Sequence, residues 1–178
     1  MPIIRAYNIP ESGPQTFREA WWDEATGQFV VNAGEVGFQS DTPIVQDNVE
    51  PEEGERLLAA FEQQCAEDGY REVPENEQFY VLVCFPLKAA EPGAREKTRG
   101  EQVADALRGH LAWRGLGTVE EPVYEGREQV VRVMTTAPKL AAKAISTCVR
   151  ENARQDFSKM SMRQASVAEP DKQRPVRL

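Results

Sequence analysis

The chain has 178 residues, 40% of them apolar, which is enough for one domain or two small ones with cores of their own and too much for a disordered segment. Its 29 acids outnumber its 21 Lys and Arg, a formal charge of −8, so non-specific binding to nucleic acid or to an anionic membrane is not expected. The excess is uneven: residues 1–77 hold 17 acids and 4 bases, a net of −13, whereas residues 78–178 hold 12 acids and 17 bases, a net of +5. Two halves of opposite charge predict two modules.

In chain order, residues 17–22 (FREAWW) and 28–31 (QFVV) read as two strands joined by a tight turn at Gly27, which tolerates positive φ. Residues 42–46 form a third short strand, completing a small antiparallel sheet. A helix follows from about Glu52, with Leu57, Leu58, Phe61 and Cys65 on one face, Pro51 in its first turn and Gly69 at its stop. Glu50, Glu52, Glu53 and Glu55 crowd that first turn, where the helix dipole favours each negative charge by about 0.3–1 kcal/mol. The polar stretch 71–78 (REVPENEQ) marks a module boundary.

Beyond it, residues 79–85 (FYVLVCF) are apolar on both faces, the mark of a central strand, and Pro86 ends it. A helix over about 95–114 carries Val103, Leu107 and Leu111 on one stripe, and Gly115 and Gly117 stop it. Residues 118–124 and 129–135 read as a hairpin whose first strand, interrupted by Pro122, belongs at an edge. A last helix opens at Pro138 and carries Leu140, Ala141, Ile145, Cys148 and Val149. Residues 157–178 show no sustained period and read as a polar basic tail. The expected class is therefore α+β: an acidic sheet-plus-helix module over 1–74, a βαββα ferredoxin-like unit over 75–156 whose last strand is missing or cryptic, and the tail.

Residues 17–74 resemble a WGR domain, a sheet-plus-helix module found in poly(ADP-ribose) polymerases and as a stand-alone bacterial unit. The aromatic first strand, the run from Asn32 to Gly37 (NAGEVG) and the helix ending in Asp68, Gly69 and Tyr70 carry the likeness. The naming triplet is replaced, with Ala33 in the place of Trp and Glu35 in that of Arg. The resemblance thus implies a fold, while the charge reversal removes the arginine fork with which such domains meet phosphate. An accessory role near nucleic acid or ADP-ribose chemistry is the alternative it leaves, and the +5 half would have to supply the binding.

No motif identifies an activity. His110 is the single histidine, so His-rich metal sites are excluded, and no GxSxG elbow accompanies it. Glu120 and Glu121 are adjacent on a predicted strand and point to opposite faces, unlike a catalytic pair. Cys65, Cys84 and Cys148 are widely spaced in apolar segments and read as buried free thiols. With no apolar run near 20 residues and no signal-peptide pattern at the start, the expected setting is the cytoplasm. No cofactor or metal is expected, and an unrecognised enzyme is only the trailing alternative.

The expected function is protein binding: an acidic inhibitor of immunity-protein or antitoxin type that covers a basic surface on a toxin or enzyme. Its partner-binding residues are predicted to be Trp21, Trp22, Asp23, Glu24, Glu35, Asp41 and Asp47, with one of the adjacent tryptophans pointing outward as an anchor. The basic residues of the second half have only Phe157 for stacking and are expected to offset the acidic module, within the chain or across a homodimer.

Overall fold

The computed structural model describes residues 3–177, which divide into two compact units. The first runs to Val73 and includes Trp113–Gly115; the second comprises Pro74–Ala112 and continues from Leu116. The class is α+β, with antiparallel sheets in both units.

The first unit is a four-stranded meander, β1 (Ile3–Asn8), β2 (Thr16–Asp23), β3 (Gln28–Glu35) and β4 (Ile44–Gln46), followed by α1 (Pro51–Glu67). The predicted hairpin is in place, with Trp22 opposite Phe29 and Asp23 opposite Gln28, and Gly27 turns the chain at φ 64°. Alternation assigns the faces. Ala20, Phe29, Val49 and Leu58 form a buried cluster on the helix side, with Ile4, Trp22, Val31, Leu57 and Phe61 packed against it. Phe17, Glu19 and Trp21 point to the other side, where Phe17 is wholly buried. Strand β1 was not anticipated from the sequence.

The tripeptide Trp113–Gly115 belongs to this unit through its backbone. Gly37 N donates to Arg114 O (2.9 Å), Ser40 N to Trp113 O (2.7 Å) and Tyr7 Oη to Gly115 O (3.1 Å). The expected contiguous boundary near residue 74 is therefore corrected: the second stretch of chain returns three residues to the first unit.

In the second unit the elements run β5 (Phe79–Pro86), α2 (Ala94–Ala112), β6 (Thr118–Val119), β7 (Val123–Glu125), β8 (Glu128–Thr135), α3 (Pro138–Asn152), the short α4 (Arg154–Phe157), β9 (Ser161–Ser166) and β10 (Arg174–Pro175). The sheet order is β10-β9-β5-β8-β6, with β7 also on β8, so β5 is central as its double-sided apolarity required. The last strand, expected to be missing or cryptic, is β9. It completes a βαββαβ connectivity in which the fourth strand lies beside the first, and the reading of residues 157–178 as a tail is corrected accordingly. The physical reason lies in β5: a buried strand must have its N–H and C=O groups paired along both edges, and β8 serves only one of them.

One face of this sheet packs Val81, Val83, Phe85, Val131 and Val133 among Leu107, Leu111 and Ile145 of the two long helices, all wholly buried. The other face has a smaller cluster of Leu82, Cys84 and Val130. Leu82 is flanked in register by Arg132 and Arg163, whose heads pair with Glu125 (2.9 Å) and Glu128 (2.7 Å), and Tyr80 and Val123 pack against the cluster.

All three cysteines are buried thiols outside any disulfide. Burial pushes the Cys84 thiol up to about 11, so the folded chain holds a proton that the unfolded chain releases near pH 9. Stability from this group is complete below pH 9 and is lost as pH climbs toward 11. A Cys84→Ala variant should show a shallower loss of stability over that window in urea titrations; an unchanged slope would contradict the assignment.

Candidate functional site at the acidic end of the first sheet

The hairpin turn, the exit from β4 and the start of α1 meet at one end of the first sheet. Val49 N donates to Gly27 O (2.8 Å), and Trp22 Nε1 donates to Val49 O (3.3 Å). Gly54 of α1 lies so close beneath the Trp22 indole that a Cβ there would run into the ring. Trp22 thereby locks the first turn of the helix over the hairpin, half-buried. Its neighbour Trp21 is also half-buried but lies on the opposite face, with Ile3 and Val30 as its register partners. Neither tryptophan stands fully out into solvent.

The carboxylates follow from that arrangement. Asp23 accepts from Ala25 N (3.0 Å) and Thr26 Oγ1 (2.9 Å), closing the turn, and Asp47 accepts from Gln28 Nε2 (2.8 Å). Glu24 is exposed beside them, and Glu50, at the helix N-cap without a capping side-chain bond, is followed by Glu52 and Glu53. Six carboxylates from three separate stretches of chain thus share one end. Arg56 forks onto Glu53 through Nε (2.9 Å) and Nη2 (2.7 Å) and holds its carboxyl below the usual range. Among the described residues none of Glu24, Glu50 and Glu52 is ion-paired.

The predicted set is divided by the fold. Trp22, Asp23, Glu24 and Asp47 come together, whereas at the rise of a strand Glu35 lies about 23 Å and Asp41, bonded to Ala33 O, about 17 Å toward the far end of β3. Glu50, Glu52 and Glu53 had been assigned only to the helix dipole. A signal for their second role was present: Gln46 and Pro51 are five positions apart, so the first turn of α1 can start no more than about 18 Å from the end of β4.

Elsewhere, His110 is half-buried on α2. Among the described residues no group of three or more His, Cys, Asp or Glu side chains is placed to hold a metal ion, and no helix is long and apolar enough to cross a membrane. No protein-family model, curated protein or solved structure significantly matches the chain.

Proposed function

We propose that the chain is a non-enzymatic protein-binding module that offers the acidic end of its first unit to a basic surface on a protein partner, in the manner of an immunity protein or antitoxin. The observation that carries this reading is the convergence of Asp23, Glu24, Asp47, Glu50, Glu52 and Glu53 around the Trp22 clamp, with Arg56 the cation bonded within the group. Other bases of the unit are engaged elsewhere: Arg5 with Glu19 and Arg18 with Asp68. In the second unit Arg163 pairs with Glu128 and Lys172 with Glu169, so these bases of the C-terminal stretch are taken up by acids of their own unit. Such a surface acts on encounter, drawing a basic partner in by long-range attraction that salt screens. Three reduced, buried thiols suit a cytoplasmic setting.

The test compares three forms as immobilised baits at about 50 and 500 mM salt, a range that spans the collapse of the screening length. These are the wild-type chain, a D23N/E24Q/D47N/E50Q variant, and an E35Q/D41N variant altered at the far end. A partner captured by the wild type should associate about tenfold or more slowly with the first variant, unchanged with the second, and weakly at high salt. Capture indifferent to salt and to the four substitutions, or no partner at either salt, would overturn the proposal.

A further inference from the structure

The second unit contains a cavity of about 650 Å³ between the end of β5, the first three turns of α2, the last turn of α3, and α4. That size lies within the range of small-molecule sites. Its polar centre is Arg99, whose side chain is 13% exposed and stacks over the Phe85 ring at 4.9 Å. The guanidinium is held from behind: Nε donates to Gln129 Oε1 (2.8 Å), and the wholly buried Gln129 is itself fixed by donation from Nε2 to Glu96 O (2.6 Å). With Nε occupied, the Nη1/Nη2 edge remains. Nη1 lies 3.8 Å from Asp156 Oδ1, beyond hydrogen-bond reach, and Nη2 is buried with no acceptor among the described residues. An unfilled donor on a buried cation is rare in native structures and is satisfied when an acceptor arrives from outside.

The surroundings define that acceptor. Lys88, Arg95 and Lys159 also line the cavity, against only two carboxylates, Glu96 and Asp156. Glu96 is already engaged, accepting from Lys88 N (3.0 Å) and Gly93 N (2.8 Å) as the reciprocal cap of α2, which keeps it below the usual carboxylate range. Cations therefore prevail around Arg99 in a chain whose net charge is −8. Leu87, Val103 and Val149 supply an apolar wall.

We propose that this cavity binds a small organic anion, its carboxylate or phosphate head group drawn to Arg99 among Lys88, Arg95 and Lys159 and its compact apolar body against Leu87, Val103 and Val149. The planar guanidinium, preset by Gln129, suits either head group, and a flexible lysine would not reproduce it. The site is independent of the acidic end of the first unit, so either assignment can fail alone.

The full chain should be titrated calorimetrically with octanoate, octyl phosphate, 1-octanol and inorganic phosphate. Support is saturable binding of octanoate or octyl phosphate at least about tenfold tighter than that of octanol or inorganic phosphate. The tighter of the two amphiphiles identifies the head group. Arg99→Gln should abolish that preference and leave octanol binding unchanged, and Arg99→Lys should not restore it. Should Arg99→Gln fail to fold, Ala106→Phe decides, because it fills the cavity while leaving every charge in place and should weaken amphiphile binding at least about tenfold. No binding by either amphiphile at about 10 mM, or equal binding by the folded Arg99→Gln or Ala106→Phe chain, would overturn the proposal.

Discussion

Glu19→Ala is expected to destabilise the first unit by about 3–5 kcal/mol, the range for removing one member of a buried ion pair. Glu19 is 4% exposed in the middle of β2, and register places Arg5 on one side of it and Asn32 on the other. Arg5 reaches Oε2 through Nε (2.8 Å) and Nη2 (2.7 Å), while Asn32 Nδ2 donates to Oε1 (2.8 Å). One carboxylate thus answers donors from two flanking strands. Its loss leaves a largely buried guanidinium and a buried amide without their acceptor, and Asn32 Oδ1 already has no partner among the described residues. The double variant Arg5→Met/Glu19→Leu should recover most of the loss, because removing both charges also removes both desolvation penalties. All three tryptophans belong to the first unit, so their fluorescence in urea reports its unfolding. A cost below about 1 kcal/mol for Glu19→Ala would mean that the row is hydrated and only loosely coupled.

Gly117→Ala is expected to cost about 4 kcal/mol or to prevent the second unit from folding. Gly117 sits at φ 101° between α2 and β6, and a Cβ there would overlap the Met134 carbonyl and stand 3.0 Å from Thr135 Cα. The obstruction is backbone, which cannot rotate aside. It also falls where the chain enters β6, whose Thr118 pairs with Met134, so relief by shifting would break the edge of the sheet. Gly126 supplies the comparison: it too has positive φ, 54°, but nothing lies within 4 Å of its Cβ position. Gly126→Ala should therefore cost only the conformational term, about 1–2 kcal/mol. Thermal melts followed by far-ultraviolet circular dichroism separate the two contributions; equal losses would show that the close approach contributes nothing.

Both predictions turn on residues that the sequence presents without emphasis. Glu19 reads as one acid in an alternating strand, and its partner Arg5 lies on a strand that was not anticipated at all. A charge at a buried strand position blurs the apolar pattern, and only the register that brings residue 5 beside residue 19 cancels it. Strand β9 was missed for a related reason: in SMRQAS only Met162 and Ala165 are buried, three positions apart, which matches neither strand nor helix period clearly. Its pairing is required by β5, whose need for partners on both edges was visible in FYVLVCF although the supplier was not. The helices were legible because each carries its signal within one stretch: Leu58 and Cys65 in α1, Leu107 and Leu111 in α2, and Ile145 and Val149 in α3 are all buried as their spacing implied.

The sequence by itself determined the α+β class, the hairpin at Gly27, the three long helices, the central place of β5 and the concentration of acids in the first part of the chain. Each of these depends on periodicity, turn chemistry or composition, which act over a few residues or need no coordinates. Only the tertiary structure decided which acids share a surface, separating Glu35 and Asp41 from Asp23, Glu24 and Asp47 along the length of β3 and adding Glu50, Glu52 and Glu53. It alone set Arg99 on the wall of a cavity with its guanidinium held from behind, because that depends on Gln129 and Asp156, which lie 30 and 57 positions away. Net charge is a sum over residues and survives any fold, whereas a site is a set of distances, and those exist only once the strands have chosen their neighbours.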